Sequence, residues 1–397
     1  MKFDDDALTH KFKLKSLVML IMLTSFTGTM AYRLTVPVIA YHARYSLNAT
    51  MEVISLFFIC FITLRALSSI IIGYIVERHY RLMYISSVFM CLNAAVTMAF
   101  LWSNDSFFYV FLRGVQGVLN GGSWPLIQLT LILLVSDDVR GRIMALYFIA
   151  GSLAAFMSNL VYILLWNLPL TWQLGLPSIL FLLTSLFILV VINSSSPQLK
   201  LRLDTNKRLC QSKVSKVVRV VLVGAFIIAF TTCYTMGEFS YVFVTESLSV
   251  RKDVAALILG VTGIVGLAAS YLISWFADRY SDLLAMSLSV SSATLGVFLL
   301  MSKDVLFSCI GLTLAAISIK SYIPLSRKIV VTHGERPSIN IGIVNAFSNA
   351  GSSLGQLTLG FLYSSELRLL GLGGVDVFLS LSAFLSLIMA LFLIKEL

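Results

Sequence analysis

Five charged side chains lie inside long apolar stretches of this sequence: Arg33, Arg65, Arg113, Glu238 and Lys320. A charge at bilayer depth costs roughly 2.5 kcal/mol or more, so such a residue normally faces a partner or a polar cavity. A guanidinium can bind a carboxylate or a phosphate through two parallel hydrogen bonds. Four cations against one anion therefore predict a binding site for a small anionic or zwitterionic molecule.

The predicted substrate-binding residues are these four cations together with two amides, Gln116 and Asn345. Glu238 is the acid of the set and is our candidate for proton coupling, because a desolvated carboxylate can exchange a proton. A structural alternative stays open, in which Arg33 and Glu238 neutralise each other. For Arg113, a role in locking helices together is favoured slightly over substrate contact.

The composition places these charges in a membrane. Apolar residues make up 58% of the 397 residues, charged residues 12%, and the mean hydropathy is +0.92. Soluble domains carry roughly 25% charged residues. A bilayer core needs about 20 apolar residues in helical form. We predict an all-α integral membrane protein with about twelve transmembrane helices, over 17–40, 52–76, 82–102, 107–134, 142–166, 172–193, 217–245, 254–277, 283–302, 305–330, 337–364 and 373–394.

The distribution of lysine and arginine predicts the orientation of these spans. One side of the predicted bundle collects most of the basic residues, including those near the N-terminus and in the long central loop. The other side holds Arg44, Arg251, Lys252, Lys303 and Arg368. By the positive-inside rule, both termini are predicted to be cytoplasmic in a multi-pass protein of the cell membrane. The formal net charge is +10, but the basic residues form no stripe with aromatic neighbours. We therefore expect no nucleic-acid partner.

The chain repeats itself about its midpoint. A polar, basic stretch over 198–216 predicts a cytoplasmic linker between an N-terminal six-helix bundle, 1–197, and a C-terminal six-helix bundle, 217–397. The acid–arginine pairs Glu77-Arg78 and Asp278-Arg279 stand 201 positions apart, after the second and eighth spans. Two Ala-Gly-Ser triplets stand 200 apart, in the fifth and eleventh spans. Parallel repeats of this kind predict two pseudo-symmetric bundles with a substrate site at their interface.

The loop after the second span carries Gly73, Glu77, Arg78 and Arg81, and it resembles the signature loop of the major facilitator superfamily. A weaker copy ends in Asp278 and Arg279. Glu77 replaces the usual aspartate, and a serine replaces the glycine of the second copy. Arg113-Gly-Val-Gln-Gly117 is similar to a motif of the family's fourth span. The resemblance implies that helices one, four, seven and ten line a cavity, and that the signature loops form a cytoplasmic gate. A simple positive-inside anchor is the alternative for those loops.

These observations predict a secondary active transporter that works by alternating access and is coupled to protons. A multidrug efflux antiporter for lipophilic compounds is the first alternative, although the fifth span lacks the glycine–proline pattern of such antiporters. A non-transporting receptor or sensor with a transporter fold is the second. A membrane-embedded enzyme is least favoured, because the sequence has no H-E-x-x-H motif and no phosphate-binding loop. We expect no cofactor and no metal, and a monomer whose partners are membrane lipid, a small-molecule substrate and protons.

Overall fold

The computed structural model describes residues 2–76, 83–135, 137–203, 216–333, 337–365, 368–369 and 372–395. Within these ranges the chain is almost wholly helical. The helices are α1 (Lys2–Tyr45), α2 (Met51–Val76), α3 (Ile85–Ala99), α4 (Ser106–Leu134), α5 (Asp137–Leu165), α6 (Leu170–Leu203), α7 (Lys216–Thr231), α8 (Gly237–Ser247), α9 (Lys252–Arg279), α10 (Asp282–Met301), α11 (Val305–His333), α12 (Pro337–Ser364) and α13 (Gly374–Lys395). Two short antiparallel strands, β1 (Arg368–Leu369) and β2 (Leu372–Gly373), join α12 to α13.

The predicted all-α membrane architecture is confirmed. By length and composition, nine helices within the described ranges can each cross a membrane. All twelve predicted spans fall on helices, but the prediction of one continuous helix over 217–245 is wrong. That span is divided into α7 and α8 by a break at residues 232–236, which we call the helix break.

Local chemistry explains the helix break. The hydroxyl groups of Thr231 and Thr232 donate to the carbonyl oxygen of Ile228, at 3.1 and 2.7 Å, which competes with the regular helical pattern. One 3₁₀ turn, Cys233–Thr235, follows. Gly237 then starts α8 with φ of +64°, a conformation that costs other residue types free energy. Apolar periodicity predicts a span but does not resolve such an interruption.

Contacts divide the chain into two compact units. The first contains residues 1–38 and 60–208, and the second contains residues 39–59 and 209–397. The second unit thus includes the end of α1 and the beginning of α2. The predicted bundle boundaries, 1–197 and 217–397 with the linker 198–216, stay a prediction.

Each unit has its own apolar core. In the first unit, residues such as Ile21, Met90 and Phe181 are at most 1% exposed and pack α1, α3 and α6 together. In the second unit, Val290 and Tyr322 belong to a larger core built from α7, α9, α10, α11, α12 and α13. Many large apolar side chains outside these cores are exposed, as expected for surfaces that face lipid.

Prolines lie inside several helices, among them Pro37 in α1, Pro125 in α4 and Pro324 in α11. Because proline has no amide N–H, it cannot bond to the carbonyl of the residue four positions earlier. For Pro37 that residue is Arg33, and for Pro324 it is Lys320. Two of the predicted binding cations therefore stand at points where their helices can bend.

Candidate functional site

Arg113 is fully buried in the first unit, with 0% of its surface exposed. Its guanidinium donates to Oε1 of Gln116 at 2.7 Å and to the hydroxyl of Tyr32 at 3.4 Å. The guanidinium carbon lies 4.7 Å from the ring centroid of Phe61 and 5.2 Å from that of Tyr32. The two rings also stack on each other, with centroids 4.9 Å apart. This Arg113 cluster joins α1, α2 and α4 through hydrogen bonds and cation–π contacts.

Gln116 extends the Arg113 cluster into a polar contact between α3 and α4. Its Nε2 donates to Thr97 at 3.0 Å, so both ends of this amide are bonded. One turn further along α4, Asn120 donates to Asn93 at 3.3 Å and accepts from the indole of Trp124 at 2.9 Å. Interhelical hydrogen bonds of this kind hold membrane helices together.

Arg65 and Arg33 belong to the same unit and are more accessible than Arg113. Arg65 is partly buried, with its guanidinium carbon 5.9 Å from the ring centroid of Phe61. Arg33 is exposed, and its positive charge repels that of Arg65. The backbone of Arg65 lies directly against Gly121 of α4, where a Cβ atom would collide with the Arg65 carbonyl oxygen. The position of Arg65 is thus fixed by close packing of α2 on α4.

In the second unit, Lys320 of α11 donates from Nζ to the carbonyl oxygen of Gly263 in α9. Arg327 follows two turns later on the same face of α11. Its Nε and one terminal nitrogen donate to Oδ1 of Asn345 in α12, at 3.2 and 2.8 Å. Both of these acceptors are neutral. Arg327 is not among the substrate-binding residues predicted from the sequence. Its spacing of seven residues from Lys320 was the signal that it shares the same helix face.

Glu238 is the second residue of α8 and has 0% of its surface exposed. It therefore lies in the first turn beyond the helix break, at the end of a helix that favours negative charge. The break is held from α12 by Gln356, whose Nε2 donates to the carbonyl oxygens of Cys233 and Met236 at 3.1 and 2.8 Å. Gln356 is also fully buried. Gln356 shares α12 with Asn345, but its position in the sequence does not reveal this bracing role.

The second signature motif forms a charge cluster. Lys328 of α11 donates to Asp278 at the end of α9 and to Asp282 at the start of α10, both at 2.7 Å. Arg279 lies over the ring of Trp275, 5.6 Å from its centroid. In the first motif, Gly73 lies in α2, while Glu77, Arg78 and Arg81 lie outside the described residues.

A second charge cluster was missed by the sequence analysis. Arg44, at the end of α1, donates to both carboxylate oxygens of Glu246 in α8, at 2.6 and 3.0 Å. The hydroxyl of Tyr363 in α12 donates to the same carboxylate at 2.7 Å. We call these three residues the Arg44 cluster. Nearby, Tyr41 is hydrogen-bonded to Thr245 at 2.8 Å. The available signal was that two opposite charges, Arg44 and Glu246, both stand at the ends of apolar spans.

The arrangement is that of a transporter fold. The sequence model of the Major Facilitator Superfamily matches residues 21–356. The chain belongs to the Major Facilitator Superfamily, as its signature loops indicated. No curated protein matches the chain.

Solved structures show the same fold. The nucleoside transporter NupG is 13% identical with a TM-score of 0.75, covering 96% of this chain and 98% of its own. A POT family transporter in complex with 5-aminolevulinic acid is 13% identical, with a TM-score of 0.74 and coverage of 95% and 96%. The human organic anion transporter MFSD10 is 15% identical, with a TM-score of 0.66 and coverage of 96% and 99%. These proteins are transporters and not enzymes, in agreement with the prediction from the sequence.

Proposed function

We propose that this protein is a secondary active transporter for a small anionic or zwitterionic solute, working by alternating access. The observation that carries the proposal is the way Arg327 is held. Its Nε and one terminal nitrogen donate to the amide oxygen of Asn345, which carries no charge. This contact orients the guanidinium without neutralising it, and Lys320 stands two turns earlier on the same face of α11. A carboxylate or phosphate of the substrate would supply the balancing charge.

The first unit supports the same substrate class. Arg33 and Arg65 repel each other, and a bound anion would relieve this repulsion. Arg113, by contrast, is used within its own cluster, where Gln116 and Tyr32 accept its hydrogen bonds. We therefore propose Arg33, Arg65, Lys320 and Arg327 as substrate-binding residues, with Asn345 positioning Arg327. Arg113 and Gln116 would lock helices together.

Ligand-induced thermal stabilisation of the purified protein tests the substrate class. The panel contains dicarboxylates, sugar phosphates, amino acids, 5-aminolevulinic acid, a nucleoside and lipophilic cations. A ligand present at about 100 times its dissociation constant should stabilise the fold by about 2.7 kcal/mol. We expect a carboxylate or phosphate to do so, and we expect Lys320→Ala and Arg65→Ala to abolish the effect. Arg251→Ala is the control, because the side chain of Arg251 is 69% exposed and lies at the start of α9.

Counterflow in proteoliposomes then tests transport itself. Radiolabelled ligand should accumulate against unlabelled ligand trapped inside, at a rate that Lys320→Ala reduces at least tenfold. Binding without counterflow would contradict transport and indicate a receptor. Stabilisation by lipophilic cations alone would contradict the anionic substrate class and indicate multidrug efflux.

We also propose that Glu238 couples transport to protons. It is a carboxyl group within the apolar spans, it is fully buried, and it adjoins the helix break. Glu238→Gln should abolish accumulation driven by an imposed pH gradient while leaving counterflow intact. Glu52→Gln is the matched control, since Glu52 lies in the first turn of α2 and is bonded to Thr50 at 2.9 Å. Equal gradient-driven accumulation by both variants would contradict proton coupling.

The proposed orientation places both termini in the cytoplasm, with the protein in the cell membrane as a monomer of two six-helix bundles joined by the linker 198–216. The bias of lysine and arginine supports it. Single cysteines introduced into a cysteine-free variant at Ser46 and Tyr280 test the orientation with an impermeant maleimide applied to intact cells. Ser46→Cys should be labelled and Tyr280→Cys protected. The reverse pattern would overturn the orientation.

A further inference from the structure

The first turns of α2 pack on the helix break that precedes Glu238. This part of α2 belongs to the second unit, together with α7, α8 and α12. A Cβ atom added to Gly237 would lie only 2.6 Å from the ring of Phe58, so this ring rests against the backbone next to Glu238. Phe58 is 8% exposed and Glu238 is 0% exposed. The ring of Phe58 therefore covers the start of α8.

A hydrogen bond and close packing hold the same face of α2 on α12. The hydroxyl of Ser55 lies 2.9 Å from the carbonyl oxygen of Gln356, and at the same distance from that of Met51 in its own helix. One turn beyond Gln356, a Cβ atom at Gly360 would collide with the Ser55 hydroxyl. The two helices thus approach each other as closely as a glycine permits. Ser55 and Phe58 are three residues apart and share a helix face.

Gln356 joins this contact to the helix break. Its backbone carbonyl faces Ser55, while its side-chain amide donates to two backbone carbonyls of the break. A displacement of α2 from α12 would therefore remove a contact of the residue that braces the break. The same displacement would withdraw the ring of Phe58 from Gly237. Both changes act on the turn that carries Glu238.

We propose that the α2 face carrying Ser55 and Phe58 is a movable seal that keeps water from Glu238. This seal rests on the proposed role of Glu238 in proton coupling, and Ser55 and Phe58 are positioning residues for that role. In alternating access, a coupling carboxyl group exchanges protons with one side of the membrane at a time. Its contact with water therefore has to be opened and closed. Release of this face from α12 uncovers the first turn of α8.

Thiol labelling of the full-length protein in detergent tests the seal. Glu238→Cys is introduced into a variant without the natural cysteines, and its reaction with a water-soluble methanethiosulfonate is timed by mass spectrometry. Adding Phe58→Ala should speed the reaction at least tenfold, because the ring no longer covers the start of α8. Phe57→Ala is the matched control, since Phe57 is the neighbouring ring of α2 and is 0% exposed. This control should change the rate less than twofold.

A smaller change keeps the test decisive if Phe58→Ala does not fold. Ser55→Ala removes one hydroxyl group and should speed the labelling about threefold to tenfold, because α2 loses a hydrogen bond to α12. Ser69→Ala is its control. The hydroxyl of Ser69 donates to the carbonyl oxygen of Ala66 in α2 itself, at 2.8 Å, so its loss should leave the labelling rate unchanged.

Failure of the seal and failure of proton coupling give different patterns. Labelling needs neither a substrate nor a pH gradient, so its rate reports on the seal alone. Accumulation driven by a pH gradient, compared between Glu238→Gln and the Glu52→Gln control, reports on coupling alone.

Any one of three labelling results would overturn the inference. The first is an equal rate in the Phe58→Ala and Phe57→Ala variants. The second is a rate with Ser55→Ala that does not exceed the rate with Ser69→Ala. The third uses a cysteine placed at Ser289, which is 0% exposed in α10 of the same unit. If Phe58→Ala speeds the labelling of that cysteine equally, the change loosens the whole unit and opens no specific seal.

Discussion

The amide nitrogen of Gln356 in α12 lies 2.8 Å from the carbonyl oxygen of Met236, immediately before α8 begins. The same nitrogen lies 3.1 Å from the carbonyl oxygen of Cys233. One side chain thus serves two backbone acceptors where the helix is broken. Broken helices are tolerated at membrane depth only where such groups are satisfied by the protein or by water.

Replacing Gln356 with leucine should destabilise the fold by about 1–3 kcal/mol, because two buried carbonyl groups lose their donor. Gln173→Leu provides the control. Its Nε2 also donates to two carbonyls, of Trp166 and Leu168, but in a more exposed setting where water can replace it. Thermal unfolding in detergent measures both variants. Equal shifts in unfolding temperature for the two variants would show that the hydrogen bonds at the helix break contribute no more stability than the more exposed ones.

Gly121→Ala should destabilise the first unit by about 1–3 kcal/mol, because the added methyl group collides with the Arg65 carbonyl. Gly175→Ala should be neutral or stabilising by up to about 1 kcal/mol. No atom lies within 4 Å of the position its Cβ would take, and alanine favours the helix. The prediction fails if Gly121→Ala unfolds at or above the temperature of Gly175→Ala.

Arg113→Leu should lower the free energy of unfolding by about 1.5–3 kcal/mol, because Gln116 loses its charged donor inside the protein. The double variant Arg113→Leu/Gln116→Leu should lose less stability than the sum of the two single variants, because each single change leaves the other residue without its partner. Arg33→Leu, at an exposed position of α1, should change stability by less than about 0.5 kcal/mol. If the losses in stability from Arg113→Leu and Gln116→Leu are additive, the two side chains do not interact as the Arg113 cluster requires.

The Arg44–Glu246 contact should show a coupling energy of about 1 kcal/mol in a double-mutant cycle of alanine substitutions. The pair is bidentate, and its side chains are only 27% and 20% exposed. The comparison is Arg251–Asp253, which is also bidentate, but whose arginine is 69% exposed. That pair should show almost no coupling. Chemical denaturation provides the measurement, and similar coupling in the two pairs would contradict the prediction.

The sequence predicted the spans well because lipid imposes a strong and local constraint. Every span needs a run of apolar residues, and such runs are visible without knowledge of packing. The charges were found for the same reason, since Arg113 and Lys320 stand out against apolar neighbours. The family resemblance rested on two short loops and was confirmed.

The contacts of these charges were less predictable. Arg113 bonds to Gln116 on its own helix, but its other partners come from positions 32 and 61. The partner of Arg44 comes from position 246, and that carboxylate is also bonded from position 363. Such pairs depend on which helices become neighbours, and no local pattern encodes that. The helix break was missed because Thr231, Thr232 and Gly237 are all tolerated in continuous membrane helices. Their effect depends on Gln356, more than a hundred residues away.

The Arg113 cluster also bears on how the chain is made. A bare arginine at the centre of a membrane helix costs about 2.5–3.5 kcal/mol on insertion, and Arg113, nearer the start of α4, would bear part of this cost. Tyr32, Phe61 and Thr97 all precede Arg113 in the chain, so a ribosome delivers them first. Gln116 follows Arg113 on α4 itself, but the partners on the other helices are synthesised before the charge. The order of the helices thus links the biogenesis of α4 to α1, α2 and α3, because a chain that began at α4 would have to insert its arginine without the partners on those helices.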